Sequence, residues 1–480
     1  MERDTLRLPS ARLFAEPDLA FHPDRHEDRS PHPLVGLSQF GPYSRSLVNK
    51  VLDPIRVAAV VPHGWPTRFV NLLKELELRH RPLERRNYLP EFQGFSRLFG
   101  LRVVAADDSA IVELDPTLDD TLAVSERPHR VLAEALTGVL SSLAARRTAF
   151  DVLFVFLPSR WEAAFTSAED EDFDLHDYLK AITAVRGIPM QIVLEDSALS
   201  YFCRCSVMWR LSIALYVKAG GVPWKLAGAD PETAIVGLSY AVRLGAVAPT
   251  YVTCCSQVFD ADGAGLEFIL YETDQATIQR RNPYLSRAEM RRVMARSLDL
   301  YHRRHAGRSP KRVIVHKSTE FKPDEVEGCF DAWRSPEGLD LIQIQQSPLW
   351  RVVKLDRPRD SRDPKGIPAN YPVDRGASFQ LGGRDVLLWT QGNATTTISG
   401  PNYYKEGKGI PAPLLLTRFA GHGPCERECT SVLGLTKMNW NNDGLYDRLP
   451  VTLSYAQVLA RTIKRMPQIS STPYQLRFFM

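Results

Sequence analysis

A cluster of ionisable and hydroxyl side chains follows an apolar run in the second half of the chain. The apolar run is residues 313–315 (VIV), and His316, Lys317 and Ser318 come directly after it. The α/β proteins often place their chemistry where strands end, because side chains from neighbouring strand ends meet at one edge of the sheet. The cluster is therefore either an active site or part of the shell around one.

Three glutamates follow this cluster and could suggest a catalytic carboxylate. They are Glu320, Glu325 and Glu327, in a segment where a helix is predicted to start. Because acidic side chains favour the N-terminus of a helix, we interpret all three as exposed residues at the start and on the outer face of that helix.

A second group of polar residues lies in the first half of the chain. His176 and Lys180 are four residues apart, so they share one face of a helix. Gln191 begins the next apolar strand, and Lys218 precedes a Gly-Gly pair at which a helix is predicted to end. Each residue alone would usually belong to the surface. Together with the helix termini, these side chains could converge on one phosphate.

The segment 274–320 is strongly basic. It contains twelve Lys and Arg residues against four Asp and Glu residues. Such a stripe is typical of surfaces that neutralise phosphates, although it could also be an ordinary solvated helix face. The predicted contacts to a nucleic-acid backbone are Arg291, Arg292, Arg296, His316 and Lys317.

The composition indicates a soluble globular protein of two or three domains. The chain has 480 residues, 44% apolar and 24% charged, and a net charge of +4 that is too small to indicate a nucleic-acid binder by itself. Its longest uncharged apolar run, residues 152–157, is far shorter than a membrane span. No signal-peptide pattern precedes the seven cysteines, so we expect a cytoplasmic protein with no membrane contact and no disulfide framework.

The order of predicted elements indicates two α/β domains after an extended arm at residues 1–50. Strands alternate with helices from residue 51 to about 225, which is the pattern of a Rossmann-like domain with a parallel sheet. From residue 226 to 480 the order changes to three consecutive strands followed by helix, strand, helix and strand, which is the order of an RNase H-like fold. The predicted strands are 55–61, 101–105, 152–157, 190–194, 233–244, 249–259, 265–273, 312–316 and 340–346.

Two strings resemble the junction between the MID and PIWI domains of Argonaute proteins. They are GIPMQIV, residues 187–193, and LSIALYVKAGGVPWKL, residues 211–226. The resemblance implies a MID domain at 51–225 and a PIWI domain at 226–480. It also implies a pocket for the 5′-phosphate of a guide strand, with a structural Mg²⁺ ion held partly by Gln191 and by the terminal carboxylate of Met480. The phosphate ligands implied are His176, Lys180, Gln191 and Lys218.

The same resemblance indicates that the PIWI domain is catalytically inactive. PIWI nucleases gather two metal ions with carboxylates and a final His or Asp, because hard divalent ions need such ligands. In this chain Ser239, Ser318 and Gln457 fall at three of the four ligand positions. The cluster at 316–318 is therefore predicted to be the remnant of an active site that still contacts nucleic acid.

Fewer than sixty residues precede the first predicted strand, so the resemblance indicates a short prokaryotic Argonaute. Such a protein is expected to use a small guide RNA to recognise invading single-stranded DNA. It would then activate an APAZ-containing effector subunit, with a TIR, sirtuin-like or nuclease domain, in antiviral defence by abortive infection. The alternatives are an active guide-directed nuclease and an unrelated two-domain α/β enzyme, although the chain has no Gly-x-Ser-x-Gly, P-loop or His-Glu-x-x-His motif.

Overall fold

The chain folds into two α/β lobes in a computed structural model. The structure describes residues 11–47, 50–167, 173–244, 249–258, 267–273, 276–279, 282–333, 338–346, 349–356, 366–404, 408–441, 444–463 and 474–479. The first lobe consists of strands β4 to β8 and helices α2 to α7, and the second lobe consists of β10 to β22 and α8 to α11.

The helices are α1 (Pro33–Phe40), α2 (Pro66–Leu76), α3 (Phe95–Phe99), α4 (Leu118–Val124), α5 (Pro128–Ala144), α6 (Leu175–Val185), α7 (Arg204–Lys218), α8 (Arg287–Arg304), α9 (Pro323–Ala332), α10 (Glu426–Leu435) and α11 (Val451–Ile463). The strands before the second lobe are β1 (Ala11–Leu13), β2 (Leu19–Ala20), β3 (Arg29–Ser30), β4 (Ile55–Val61), β5 (Val103–Ala105), β6 (Ile111–Glu113), β7 (Val152–Leu157), β8 (Met190–Leu194) and β9 (Lys225–Leu226). Those of the second lobe are β10 (Thr233–Leu244), β11 (Pro249–Val258), β12 (Glu267–Thr273), β13 (Ala276–Gln279), β14 (Asn282–Leu285), β15 (Arg312–Lys317), β16 (Leu339–Gln346), β17 (Leu355–Asp356), β18 (Ile367–Pro368), β19 (Ala377–Gln380), β20 (Asp385–Leu388), β21 (Leu414–Ala420) and β22 (Tyr474–Gln475).

The first lobe is built around a parallel sheet in the order β5-β4-β7-β8, with β6 also beside β4. Along β4, Val57 and Ala59 face one core, and Ala58 and Val60 face the other. Helices α2 and α7 cover the first of these faces and α5 covers the second. Burial on both faces explains why β4 and β7 are continuous apolar runs. The predicted Rossmann-like domain is confirmed, and β4, β7 and β8 have the bounds expected from the sequence.

The second lobe contains the predicted RNase H-like core. Strands β12, β11 and β10 are antiparallel neighbours, and β15 and β16 continue the sheet parallel to β10. Helices α8 and α9 pack together on one face, while α11 packs on the other face against β10 and β11. Gly237 permits this close approach, because a Cβ atom there would lie 1.9 Å from the carbonyl oxygen of Thr452.

The expectation of an extended arm at residues 1–50 is wrong for the part that the structure describes. Strand β1 pairs with β19 of the second lobe, and β2 pairs with β3 and β9. Helix α1 buries Leu34 and Leu37 completely or almost completely. Glu16 forms ion pairs with Arg375 and Lys437, whose charges outweigh burial and hold the pKa of this carboxyl below its ordinary value. The apolar side chains of this Pro-rich N-terminal segment therefore pack into the core of the protein.

No helix in the described part of the chain is long and apolar enough to span a bilayer.

Candidate functional site

The structure brings the two predicted phosphate-binding lysines together in the first lobe. Lys180 lies on α6, which begins after the capping residue Asp174, and Lys218 is the last residue of α7. Their side chains are almost completely buried, with 4% and 0% of their surfaces exposed. The charge of Lys180 is close enough to lower the pKa of Lys218. Two buried ammonium groups therefore face the same region.

Burial dominates the electrostatics of this pair. It lowers the pKa of Lys180 to about 8, and it lowers the pKa of Lys218 well below its ordinary value. The charge of Asp177 acts in the opposite direction on Lys180, but it does not cancel the cost of burial. A bound anion would offset this cost, because an opposite charge within a few ångströms favours the protonated form of a lysine.

The other two predicted ligands, on α6 and β8, are less buried. His176 is 54% exposed on α6, with its Nδ1 atom 3.5 Å from Oδ1 of Asp177. Gln191 lies on β8 and is half-buried, and its Nε2 atom donates a hydrogen bond to the carbonyl oxygen of Ile192 at 2.9 Å. The structure thus places all four predicted residues on α6, β8 and the end of α7, with the lysines innermost.

A group of possible metal ligands caps α6. Oxygen and nitrogen atoms of Asp174, His176 and Asp177 lie within 4.8 Å of one another. The metal ligands predicted from the resemblance were Gln191 and Met480, and Met480 lies outside the described residues. Carboxylate oxygens suit Mg²⁺. Asp174 and Asp177, which the sequence analysis did not select, therefore offer possible ligands beside the two lysines.

Two further cations reach this pocket from the second lobe, and the sequence analysis missed both. Arg461 of α11 places Nε 3.7 Å from Oδ2 of Asp177, and its charge lowers the pKa of Lys180. Arg477 approaches Gly220, where a Cβ atom would lie 3.4 Å from its Nη1 atom. Because Gly220 has a φ of +103°, this close approach coincides with a backbone conformation that favours glycine.

The surroundings of the Arg477 guanidinium favour the binding of an anion. Its Nε atom is buried and has no hydrogen-bond partner among the described residues, and burial lowers the pKa of its guanidinium. The charge of Arg477 also lowers the pKa of Lys50 and of Arg147. Cations from both lobes therefore surround this region.

In the second lobe, the three residues predicted to replace nuclease ligands lie on or directly after two neighbouring strands and on a helix that packs against one of them. Leu238 on β10 is paired with Lys317, the last residue of β15, so Ser239 in the middle of β10 lies beside Ser318, which directly follows β15. Ser239 is half-buried and Ser318 is exposed. Gln457 is exposed on α11, the helix that packs against β10.

A cleft of about 660 Å³ opens beside Ser318. Its described lining includes the amides of Gln343 and Gln345 and one carboxylate, Glu320. That carboxylate forms an ion pair with Lys322. The remaining residues of this described lining are amides, hydroxyls and one lysine.

The prediction that His316 contacts a nucleic-acid backbone is wrong. The side chain is completely buried, and its Nδ1 atom is 2.9 Å from Oγ1 of Thr452 on α11. Burial lowers the pKa of His316 to about 3, so the imidazole is neutral at physiological pH. Its strand is central in the sheet, and α11 covers the face towards which His316 points.

The prediction for Lys317 is wrong for a related reason. This side chain points to the opposite face of β15, where its Nζ atom lies 2.6 Å from both carboxylate oxygens of Glu325. Glu325 is therefore also buried, not exposed as expected, and it accepts further hydrogen bonds from the Tyr240 hydroxyl and the Leu285 amide. The ion pair is a structural element of the core and does not reach solvent.

The three arginines of the basic helix are exposed, as expected. Arg291, Arg292 and Arg296 lie on the outer face of α8, while Met290 and Val293 face the core. Arg292 is 3.1 Å from a carboxylate oxygen of Glu289, one turn earlier. This surface is available to a polyanion.

These lobes together form an Argonaute-like fold. The fold is similar to that of the Argonaute of Clostridium butyricum bound to a guide DNA and a 19-mer target DNA, with a TM-score of 0.64 and 14% identity. The match covers 96% of this chain and 53% of the Clostridium butyricum chain. The match to the Argonaute of A. aeolicus covers 98% of this chain and 56% of the A. aeolicus chain, with a TM-score of 0.59 and 16% identity. Aa-Ago with externally bound siRNA gives a TM-score of 0.62 at the same identity and coverage.

At these identities the likeness concerns the fold. The chain spans just over half the length of the structures that it matches. No protein-family model matches the sequence, and no curated protein does so.

Proposed function

We propose that the chain binds a small guide RNA by its 5′-phosphate and uses it to recognise complementary single-stranded DNA. The observation that carries this proposal is the pair of buried lysines, Lys180 and Lys218, whose pKa values lie below the ordinary range. Burial makes the protonated form of both lysines costly, and a bound anion would offset that cost. A terminal phosphate carries up to two charges and can accept hydrogen bonds from several donors at once.

The second lobe completes this pocket. Arg461 and Arg477 add two guanidinium groups, and His176 and Gln191 lie at the more open side. A divalent ion, Mg²⁺, would fit where the phosphate meets this rim. Gln191 and the terminal carboxylate of Met480 are its proposed ligands, and the carboxylates of Asp174 and Asp177 are close enough to share it.

Recognition is proposed to occur without cutting. Ser239, Ser318 and Gln457 cannot gather two divalent ions, and the one carboxylate in the described lining of the cleft, Glu320, is neutralised by a lysine. The cleft and the exposed arginines of α8 would instead hold the backbone of the paired strands.

An effector in another chain would then supply the response. We propose an APAZ-containing subunit with a TIR, sirtuin-like or nuclease domain, acting in antiviral defence by abortive infection in the cytoplasm. The matched Argonaute structures are almost twice as long as this chain.

One experiment tests the proposed recognition and the proposed inactivity together. The chain is loaded with a 5′-phosphorylated guide RNA and mixed with complementary or scrambled single-stranded DNA in the presence of Mn²⁺. We expect capture of the complementary strand alone, with full-length DNA recovered. Equal capture of both strands would contradict guide-directed recognition, and guide-dependent cutting would contradict the inactive site.

A further inference from the structure

A two-stranded ribbon of the second lobe exposes apolar side chains to solvent. Strands β17 and β18 form it, and among the described strands they make a sheet of their own. We call residues 349–356 and 366–368 the apolar ribbon. Its five large apolar side chains, which are between 46% and 89% exposed, are Leu349, Trp350, Val353, Leu355 and Ile367. Such a concentration of exposed apolar side chains is typical of a surface that binds a partner or a membrane.

The segment before β17 is attached to the protein along one side. Val352 packs against a buried apolar cluster of the second lobe, and Lys354 forms an ion pair with an aspartate across 2.9 Å. Arg351, Val353 and Leu355 alternate with these two residues and are exposed. This alternation is that of an extended chain, in which successive side chains point to opposite sides. The outward side therefore carries apolar side chains and one arginine.

Where the two strands pair, both faces of the ribbon are exposed. Leu355 lies opposite Pro368, and Asp356 lies opposite Ile367. Because opposed residues share one face of a sheet and successive residues alternate, Leu355 and Ile367 point to opposite faces. They are 52% and 53% exposed, so the protein covers neither face. A flat protein surface would cover one face, whereas a fluid apolar phase that surrounds the ribbon would cover both.

The apolar ribbon also belongs to a basic part of the sequence. Residues 349–368 include six Lys and Arg residues against three Asp residues. Two copies of this surface would repel each other, which disfavours self-association through it. A nucleic-acid backbone would neutralise the cations but would leave the aliphatic side chains in water. An anionic lipid surface suits both properties, because cations bind the headgroups while aliphatic side chains and a tryptophan enter the interface.

We propose that the apolar ribbon binds the surface of a membrane that contains anionic lipids. Leu349, Val353 and Leu355 enter the boundary between headgroups and acyl chains. Trp350 lies at the level of the headgroups, and Arg351 contacts lipid phosphates. This proposal does not depend on guide binding. It replaces the expectation of no membrane contact, because binding at the surface requires no helix that spans the bilayer.

Vesicle flotation tests the proposal. The full chain, purified free of nucleic acid, is mixed with vesicles of phosphatidylcholine alone or of equal parts phosphatidylcholine and phosphatidylglycerol. We expect the chain to float with the anionic vesicles, and to do so less as the salt concentration rises, because salt screens the attraction to the headgroups. Neutral vesicles should bind at least about tenfold more weakly. A chain that floats with neither kind of vesicle, or equally with both, would overturn the proposal.

Substitutions assign the binding to this surface. Leu349→Glu and Leu355→Glu should each lower the affinity for anionic vesicles about tenfold, because each replaces an inserted apolar side chain by a charge that the lipids repel. Val124→Glu is the control, since Val124 in the first lobe is 83% exposed and Leu349 is 89% exposed. Equal affinities of all three variants and the unaltered chain would show that another surface binds, and would overturn the proposal.

Labelling from within the bilayer gives a readout that requires no variant. A lipid with a photoactivated diazirine in its acyl chain is added to the anionic vesicles, and mass spectrometry identifies the labelled peptides of the unaltered chain. We expect label in the peptides that contain Trp350 or Leu355. Label only elsewhere would overturn the proposal. Self-association that Leu349→Glu abolishes, without vesicle binding, would assign the surface to a second copy of the chain and would also overturn it.

Discussion

At the scale of single residues, burial opposes the positive charge of the two lysines at the proposed phosphate site. Lys180 and Lys218 are buried together, and their pKa values are lowered mainly by burial. A group in this state binds its proton weakly until an opposite charge arrives. Binding of a guide phosphate at this pair would therefore be linked to proton binding.

This linkage predicts a pH dependence with a defined direction. The unliganded chain loses the proton of Lys180 as the pH rises through about 8, and binding of a phosphate must restore that proton. Affinity for a 5′-phosphorylated guide should therefore be at least about tenfold weaker at pH 9 than at pH 7, since Lys180 alone takes up one proton per guide above its lowered pKa. Lys218, whose pKa is lowered further, acts in the same direction.

Fluorescence polarisation across this pH range measures the effect. A 5′-hydroxyl guide of the same sequence is the control and should show little change. Equal affinities of the phosphorylated guide at pH 7 and pH 9 would show that these lysines do not hold its phosphate.

The buried pair Lys317–Glu325 makes a prediction about stability. Glu325→Gln should lower the free energy of unfolding by about 3 kcal/mol, because it leaves a buried ammonium group without its countercharge. Denaturant unfolding measures this difference, and Asp324→Asn, an exposed change in the preceding residue, is the control. A loss below about 0.5 kcal/mol would mean that the pair is not a structural element of the core.

At the scale of elements, apolar patterns predicted most of the sheets and helices. Strands β4 and β7 are buried on both faces, so their continuous apolar runs mark their bounds. The same reasoning failed at the end of β15, because charge was taken as a sign of exposure. Lys317 can be buried because the carboxylate of Glu325, eight residues later on α9, neutralises the charge of its ammonium group. A local sequence pattern does not reveal such a pairing.

The exposed face of α8 makes a prediction at this scale. Changing Arg291, Arg292 and Arg296 to Glu should weaken binding of all guide and target sequences and flatten its dependence on salt, because backbone contacts act through counterion release. Binding is measured at several salt concentrations. The control reverses three exposed arginines of the first lobe, Arg79, Arg81 and Arg130. If both triple variants retain the same affinity and salt slope as the unaltered chain, α8 is only a solvated face or a protein contact.

At the scale of the whole molecule, the phosphate pocket is a product of both lobes. Arg461 and Arg477 are more than two hundred residues beyond Lys218 in the sequence, and only the packing of α11 and the C-terminal turn against α6 and α7 brings them close. Neither arginine belongs to a motif, so from the second lobe the sequence suggested only Met480, which lies outside the described residues. A contact between distant segments requires the fold itself.

The proposed effector leads to a further prediction. Coexpression with the effector subunit should give a stable complex whose NAD hydrolysis or DNA cleavage requires both guide and complementary single-stranded DNA, since any response must come from a bound protein that distinguishes the two states. Both activities are measured with matched and scrambled targets. An activity that ignores the target would contradict coupling between recognition and response.

The central claim is that the buried lysines hold the 5′-phosphate of a guide, and one ratio tests it most directly. This is the ratio of dissociation constants for a 5′-hydroxyl and a 5′-phosphorylated guide RNA of one sequence, measured with the unaltered chain and with Lys218→Ala. Lys74→Ala, at an exposed position on α2, is the control. A charge-assisted phosphate contact contributes about 1.5 to 3 kcal/mol. We therefore predict a ratio of at least about ten that falls by about tenfold or more in Lys218→Ala alone. A ratio near one for the unaltered chain, or one that Lys218→Ala leaves unchanged, would contradict the account.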